Sequence, residues 1–570
     1  MIKNQTTTRK ILIITLLLSL FILLTSISGV HASSTVYVNA TGGNDSNDGS
    51  INHPYKTIDQ AIKNVDKNGI VKIANGIYKG KGNTNLTISK NMKIIGQHQK
   101  KTIINGEGTN WIFTVNRGVN VTIMNLTLTN GTSKNGGAIY NQGTCNVSGC
   151  TFTGNRATSN SAGGAICNYG NCTVEVCTFN SNTVINHGGA IYSYGNLTVN
   201  ACIFIDNKAD HDGGAILSQG NLNVSGSKFI GNTACNGSGG AIDIFGGTLN
   251  VNSCTFTNNT AWGGGAIQTS SDNAILSGCM FIGNAATVYG GAISNYGTIN
   301  CLSGCTFVGN TATDGGAIRN GGDIADLNGC TFVGNKATLG GAIHNWFSNL
   351  TAHFNRFVNN TAANGNAIYC NSGSVDVRYN WWGSNTSPKN VSNLIAGQAD
   401  KVDTDSWLVL TITPQKSSID VNSKTTVTVD LLHDSNGVYH DPANGHVPNG
   451  AVVTFSASNG TLNPLTAELI NGSATTTLTA HNECKSIIQA TIDNQTVSTE
   501  VTVNPVKPIP IDPVKPTPVK PDTPNSNDNG TQHNTVHAAS TVGLQKTGMP
   551  LNYLLLGLMM VFGALGLRRK

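Results

Sequence analysis

Apolar and polar positions alternate in short runs along most of the chain, and the runs return at a fixed interval. From Gly188 the order is "GGAIYSYG", "NLTVNA", "CIFIDN". Leu197 and Val199 share one side of the second run, and Cys202 and Phe204 share one side of the third. A period of two sends alternate side chains to opposite faces, so these runs predict strands rather than helices. The alanine of Gly-Gly-Ala-Ile recurs at Ala138, Ala165, Ala190, Ala215, Ala241, Ala266, Ala292, Ala317, Ala342 and Ala367. (The last copy reads Gly-Asn-Ala-Ile.) The intervals are 27, 25, 25, 26, 25, 26, 25, 25 and 25 residues. So constant a period marks a solenoid. Three short strands per repeat cannot bury their apolar sides alone. Stacking each coil on the next, at about 4.8 Å, covers them and pairs the backbone. The expected fold class is therefore all-β, a parallel β-helix. Leucine-rich repeats share the period, but their Leu-x-x-Leu-x-Leu frame is absent.

The recurring residues acquire roles from that stacking. The glycine pair sits at a turn where a side chain would clash or φ must be positive. Phe152, Phe179, Phe204, Phe229, Phe256, Phe281, Phe307, Phe332 and Phe357 should form an inward column. Three residues on, Asn155, Asn182, Asn207, Asn232, Asn259, Asn284, Asn310, Asn335 and Asn360 should form a second. Stacked amides satisfy one another and a buried turn carbonyl, which makes these asparagines structural.

Of the 14 cysteines, Cys150, Cys177, Cys202, Cys254, Cys279, Cys305 and Cys330 stand two residues before the phenylalanine. Parallel neighbours hold their Cβ atoms about 4.8 Å apart, outside the roughly 3.5–4.5 Å a disulfide prefers. Zinc wants tetrahedral convergence rather than a straight ladder. Ser227 and Asn355 fill the same slot in other coils. The cysteines read as small buried hydrophobes, with no metal or other cofactor expected. So many free thiols in an exported chain point to an anaerobic habitat.

The flanks divide the rest. Residues 1–32 read as a secretory signal peptide, with Arg9 and Lys10 before "ILIITLLLSLFILL" and cleavage after Ala32; an uncleaved amino-terminal anchor is the alternative. Residues 33–133 hold a cap and the first irregular coils, including an amphipathic helix with Ile58, Ala61, Ile62 and Val65 on one face. Residues 134–395 carry the ten repeats, closed by Asn380-Trp381-Trp382-Gly383, and 396–406 read as a linker. Residues 407–504 contain alternating strands such as "TTVTVDLL" and "AVVTFSAS" at sandwich spacing. Residues 505–543 form a proline-rich and then polar spacer. In 544–570, Leu551 to Leu567 is an apolar run of 17 residues closed by Arg568, Arg569 and Lys570. That is just long enough to span a membrane, with the basic tail inside.

Three resemblances follow from these residues. The Gly-Gly-Ala-Ile and Phe-x-x-Asn repeats resemble pectin-lyase-like right-handed β-helix proteins. They are most similar to polymorphic outer-membrane proteins and to adhesin-like proteins of methanogenic archaea. The resemblance covers roughly residues 34–395, and the stretch after it does not read as the translocator barrel of the bacterial relatives, so a different anchoring is expected. Pro448-Asn449-Gly450 and Asn471-Gly472-Ser473-Ala474 resemble invasin-type bacterial Ig-like domains, which implies an Ig-like β-sandwich over 407–504. Leu544, Thr547 and Gly548 resemble a Leu-Pro-x-Thr-Gly cell-wall sorting signal, but Gln545 stands where that family has proline. A plain C-terminal transmembrane helix is the expected anchor.

Composition narrows the function. Only 11% of residues are charged and the formal charge is +5, which gives no reason to expect a nucleic-acid partner. Sequons at Asn125, Asn146, Asn196, Asn223 and Asn349 are candidate glycosylation acceptors. Asp206, Asp210 and Asp212 with His211, and Asp314 with Asp323 and Asp326, are the densest acids among the repeats. Asp212 lies four coils, roughly 19 Å, from Asp314, and no paired-carboxylate motif emerges. Lys208, Arg319, His187 and His344 stand nearby without a recognisable frame. The resemblance therefore implies a non-enzymatic, surface-anchored adhesin-like protein whose partner is an extracellular glycan or another cell's surface. Tyr140, Tyr169, Tyr192, Tyr194, Tyr289 and Tyr296 lie on the long polar faces that such a partner would meet. Tyr140 and Tyr192, at equivalent positions, read either as stacking on sugars or, as the simpler expectation, as packing between coils, and no binding residue is assigned. A polysaccharide lyase or hydrolase, and a purely structural envelope component, are the alternatives.

Overall fold

The computed structural model describes residues 34–158 and 163–505. The expected signal peptide, spacer, sorting-like motif and membrane anchor lie outside them. Among the described residues no helix is long and apolar enough to cross a membrane.

Residues 35–403 wind into a parallel β-solenoid whose coils each add one strand to three long sheets of 15, 13 and 12 strands. We call these the Val face (with Leu197–Asn200), the Ile face (with Ile191–Ser193) and the Phe face (with Ile203–Ile205). Register is in step from coil to coil: Leu197 opposes Leu222, Ile191 opposes Ile216 and Phe179 opposes Phe204. Like residues therefore stack, and one core runs the length of the solenoid from Val36 to Val402.

The phenylalanines stack ring on ring from Phe152 to Phe357, with centroids 4.6–4.9 Å apart and planes within 6°. Beside them the asparagines form a hydrogen-bonded column. The Asn207 amide donates to Asn232 Oδ1 at 2.9 Å and to the Phe179 carbonyl at 3.0 Å, while its oxygen accepts from the Asn182 amide and backbone N–H. The glycine pair is where the turn needs it. Gly188 has φ +75°, and a Cβ on Gly189 would lie 2.0 Å from the Gly214 carbonyl of the next coil.

Three expectations are corrected. Most of the repeat coils have a fourth short strand, for example Arg156–Ala157, Thr183–Val184 and Lys208–Ala209; seven of these form one sheet, and Lys336–Leu339 pairs with Thr361–Asn364 in another. Two residues are too few to show a period of two, and the buried ones are small: Ala157, Val184 and Ala209 make a separate apolar cluster. Second, 396–406 is no free linker. Ile395–Gly397 pairs with Ile368–Cys370 and Val402–Asp403 with Val375–Asp376, so this stretch is the last coil. Third, the cysteines do more than fill space. The Cys177 thiol accepts the Cys150 N–H at 3.3 Å and donates to the Glu175 carbonyl at 3.2 Å. Ser227 and Asn355 accept the same N–H, from Cys202 at 3.0 Å and from Cys330 at 2.7 Å. Burial pushes the Cys177 thiol well above its usual range, which keeps it a protonated donor. Cys254→Ser is accordingly expected to shift stability by no more than about 1 kcal/mol, measured by chemical denaturation, because the hydroxyl makes the same bonds.

Both ends are closed. The helix Ile58–Asn64, capped by Thr57 Oγ1 accepting the Gln60 N–H, buries Ile58, Ala61 and Ile62 against the first strands. At the other end Trp382 stacks on Phe357 with centroids 4.9 Å apart and terminates the column. Residues 408–504 form a sandwich of a four-stranded and a five-stranded sheet. The stretch 461–468 splits between the two sheets, with Thr461–Asn463 in one and Thr466–Glu468 in the other. Its core includes Trp381 from the solenoid. Asp493 accepts from the Trp381 indole at 2.7 Å and from Arg356 Nε at 3.1 Å, and Arg356 Nη2 completes a bidentate pair. The Asn385 N–H adds a bond to Gln495 Oε1 at 2.8 Å.

Candidate functional site

The repeat leaves one position per coil free to vary on the Ile face, the middle residue of Ile-x-Asn. Its side chain points away from the solenoid core. In register order the column reads Tyr140, Cys167, Tyr192, Leu217, Asp243, Gln268, Ser294, Arg319, His344, Tyr369. From Asp243 to His344, five successive coils carry polar groups, each less than 9% exposed. This column is the floor of a groove. One wall is the turn that follows each strand, where Tyr169 (44% exposed), Tyr194 (37%), Phe245 (48%) and Tyr296 (41%) stand at equivalent positions, with Trp346 further on. The other wall is the fourth strand, which contributes Trp262 and Tyr289.

The rings touch along the wall. Tyr140 meets Tyr169 edge-on with centroids 5.8 Å apart, Tyr169 stacks on Tyr194 at 4.6 Å, and Tyr194 meets Tyr192 edge-on at 4.9 Å. Towards the C-terminal end the walls close over the floor. The Arg319 guanidinium lies 4.7 Å from the centroid of Tyr289 on one wall, and 4.8 and 5.4 Å from Tyr296 and Trp346 on the other. Nε and Nη1 have no hydrogen-bond acceptor, so the faces of the rings take their place as partners of the cation. His344, one coil on, is fully buried under Trp346 and Tyr369, with Asp314 3.8 Å away. Burial and the neighbouring Arg319 charge lower its pKa to about 4, so it is neutral at physiological pH.

At the opposite end the groove is open. Thr109, Trp111, Thr114, Thr132, Ser133, Lys134, Asn135, Tyr140 and Thr158 line a cleft of about 490 Å³. Nine coil steps separate Thr114 from His344, about 43 Å along the axis.

The acids marked in the sequence are placed apart. Asp212 is the member of its trio with a built environment: Oδ1 accepts the Ser238 N–H at 2.8 Å, and Oδ2 lies 3.1 Å from His187 Nδ1. His187 and His211 rings are 5.9 Å apart. Asp314 joins His344, whereas Asp323 and Asp326 belong to the Val face. Among the described residues no group of three or more His, Cys, Asp or Glu is placed to hold a metal ion. Asp243, unmarked by any motif, is the surprise. It is fully buried, its Oδ2 has no partner, and burial together with the Asp212 charge pushes its pKa well up. Burial also pushes Asp212 up, but hydrogen bonds from His187 and Ser238 outweigh it and leave a net lowering. Such a split suits an acid–base pair, yet Asp243 has no exposed surface from which to hand over a proton.

A neutral buried Asp243 binds a proton more tightly folded than unfolded, so its contribution is present below the unfolded pKa and declines as pH rises through the folded one. Asp243→Asn, which removes that proton requirement, is expected to match the parent near pH 3 and to unfold at a higher temperature near pH 8. Calorimetry across that range checks the sign.

The fold and groove define a class first: a parallel β-solenoid of Gly-Gly-Ala-Ile/Phe-x-x-Asn coils with a variable, aromatic-walled face. Within it, residues 149–169, 176–194, 201–219 and 253–270 match the model of the Chlamydia polymorphic membrane protein repeat. Each segment runs from the phenylalanine column through the asparagine ladder to the Ile face. No match is found among curated proteins. Similar solved structures include a lacto-N-biosidase from Eubacterium ramulus, at 10% identity over 61% of this chain and 67% of that one, with a TM-score of 0.32. A rhamnogalacturonan lyase matches at 11% identity, 65% and 86% coverage and a TM-score of 0.23. The tailspike protein of E. coli bacteriophage HK620, in complex with a pentasaccharide, matches at 14% identity, 82% and 93% coverage and a TM-score of 0.23.

Proposed function

We propose that the chain is a cell-surface, adhesin-like protein that presents its solenoid for attachment to glycans, free or on another cell, without chemistry of its own. The observation that carries this reading is the exposed ring that recurs at one turn position beside the Ile face. Rings one coil apart at Tyr169 and Tyr194, and two coils apart at Phe245, Tyr296 and Trp346, offer sugars apolar surface, while the polar groups between them stay wet. The polymorphic membrane protein repeat supports display at a surface. In this reading the sandwich is an Ig-like stalk domain, and the spacer and apolar tail of 505–570 raise and anchor it.

The test is binding of the purified full chain to a printed array of neutral, amino and acidic oligosaccharides. Removing two rings with Tyr169→Ala and Tyr194→Ala is expected to weaken the strongest interaction roughly tenfold, at about 0.5–1.5 kcal/mol per ring. Unchanged affinity would move recognition away from this wall. Release of reducing or unsaturated sugars from the same glycans would replace adhesion by the enzymatic reading.

A further inference from the structure

We propose that the open cleft at the Trp111 end of the groove is a binding subsite for the terminal pyranose ring of a glycan; this rests on the adhesion reading above and specifies it. The cleft, at about 490 Å³, falls within the range of roughly 300–1,000 Å³ typical of small-ligand sites. Its floor is the start of the variable column, since Thr114 and Tyr140 are register partners on adjacent strands of the Ile face. The Trp111 indole, 39% exposed, stands on the fourth-strand side, where the Thr132 N–H donates to the Asn110 carbonyl at 2.9 Å. Thr132, Ser133 and Thr158 line the cleft beside it, at and just beyond the fourth-strand positions.

The chemistry of this lining selects the ligand. An indole face attracts the C–H side of a pyranose, which is apolar and carries slight positive charge. Hydroxyls and a carboxamide each donate and accept, as do the hydroxyls of a sugar. An apolar ligand would leave those groups unmet. Among the described residues no carboxylate lines the cleft and Lys134 is its one charged side chain, so a cationic ligand would find no counter-charge there and would be repelled by Lys134. The Tyr140 phenol is already oriented: its oxygen accepts from Gln142 Nε2 at 3.0 Å, which leaves its hydrogen to donate elsewhere.

Direction follows from the two ends. Thr114 and Tyr140 are part-exposed, whereas every floor residue from Cys167 to His344 is buried, and at Arg319 the guanidinium fills the space between Tyr289 and Tyr296. A glycan's end ring therefore reaches the floor only at the Trp111 end, and the sugars that follow it lie on the exposed rings of Tyr169 and Tyr194.

The experiment uses the purified full chain on the same array, followed by titration of the best-bound oligosaccharide with tryptophan fluorescence as readout. Trp111→Ala is expected to weaken binding at least about tenfold and to abolish most of the fluorescence change, whereas Trp111→Phe, which keeps a ring, recovers part of the affinity. Thermal unfolding of both variants reports whether the solenoid is intact. If an intact Trp111→Ala binds like the parent while the Tyr169/Tyr194 variant loses affinity, the subsite is wrong and the adhesion reading survives. If the parent binds no glycan on the array, both fall.

Discussion

Asn232→Ala is expected to destabilise the solenoid by on the order of 4–6 kcal/mol, the largest effect of any single change foreseen here. Asn232 is fully buried in the middle of the ladder. Its amide donates to Asn259 Oδ1 at 2.9 Å and to the Phe204 carbonyl at 3.0 Å. Its oxygen accepts the Asn207 backbone N–H at 3.1 Å and the Asn207 amide at 2.9 Å. Alanine thus strands two donors and a carbonyl, and costs the Asn259 oxygen one of its donors, all away from water. Each orphaned group costs about 1–3 kcal/mol. The loss should appear in urea unfolding. Because coils touch only their neighbours, it should also appear as protease cutting near Thr233 before global unfolding. Asn232→Asp, which lacks the amide donor, should rescue little. A loss under about 1 kcal/mol would mean that the ladder is not what holds these turns.

Asp493→Ala is expected to cost about 3–5 kcal/mol and to separate the unfolding of the sandwich from that of the solenoid. The Asp493 carboxylate is 5% exposed, and it meets both the Arg356 guanidinium, 16% exposed, and the Trp381 indole. Alanine leaves a largely buried cation and an indole N–H without an acceptor. The penalty lies in that stranded cation rather than in the worth of the pair. Replacing both partners, Arg356→Met with Asp493→Leu, should therefore recover most of the loss. Calorimetry should show one transition for the parent, two for the alanine variant, and a return towards one for the double replacement. A single unshifted transition in the alanine variant would exclude this contact as the joint.

The cysteine slot shows how far residue pattern reaches. Its occupation by serine at Ser227 and asparagine at Asn355 was visible, and all three residue types share the ability to accept an N–H. That common property was the available signal for the hydrogen bonds found there. A second polar column could have been read in the same way, since Asn141, Asn168 and Ser193 follow Ile-x in successive repeats; the Asn141 amide donates to Asn168 Oδ1 at 2.7 Å. The groove was harder. Tyr169 and Tyr194 recur at one spacing, but the later rings change type, Phe245, Tyr296 and Trp346, and are interrupted by Gln219, Ser270 and Gly321. Arg319 and His344 were visible as unusual, yet Tyr289 and Trp346 reach Arg319, and Tyr369 reaches His344, from other coils.

A strict period of about 25 residues, with glycine, phenylalanine and asparagine at constant offsets, is enough by itself to dictate coils that stack like on like. Only one register lets every inward ring and amide meet its own kind. That logic is local to the repeat, so it is written in the chain. Where the repeat falls silent, three dimensions decided. Residues 395–403 became a coil because an open edge beneath them offered unpaired backbone groups. Asp493 found Arg356 across 137 positions of sequence, and the walls of the groove were brought together by winding, which sets distances between coils that no spacing within one coil records.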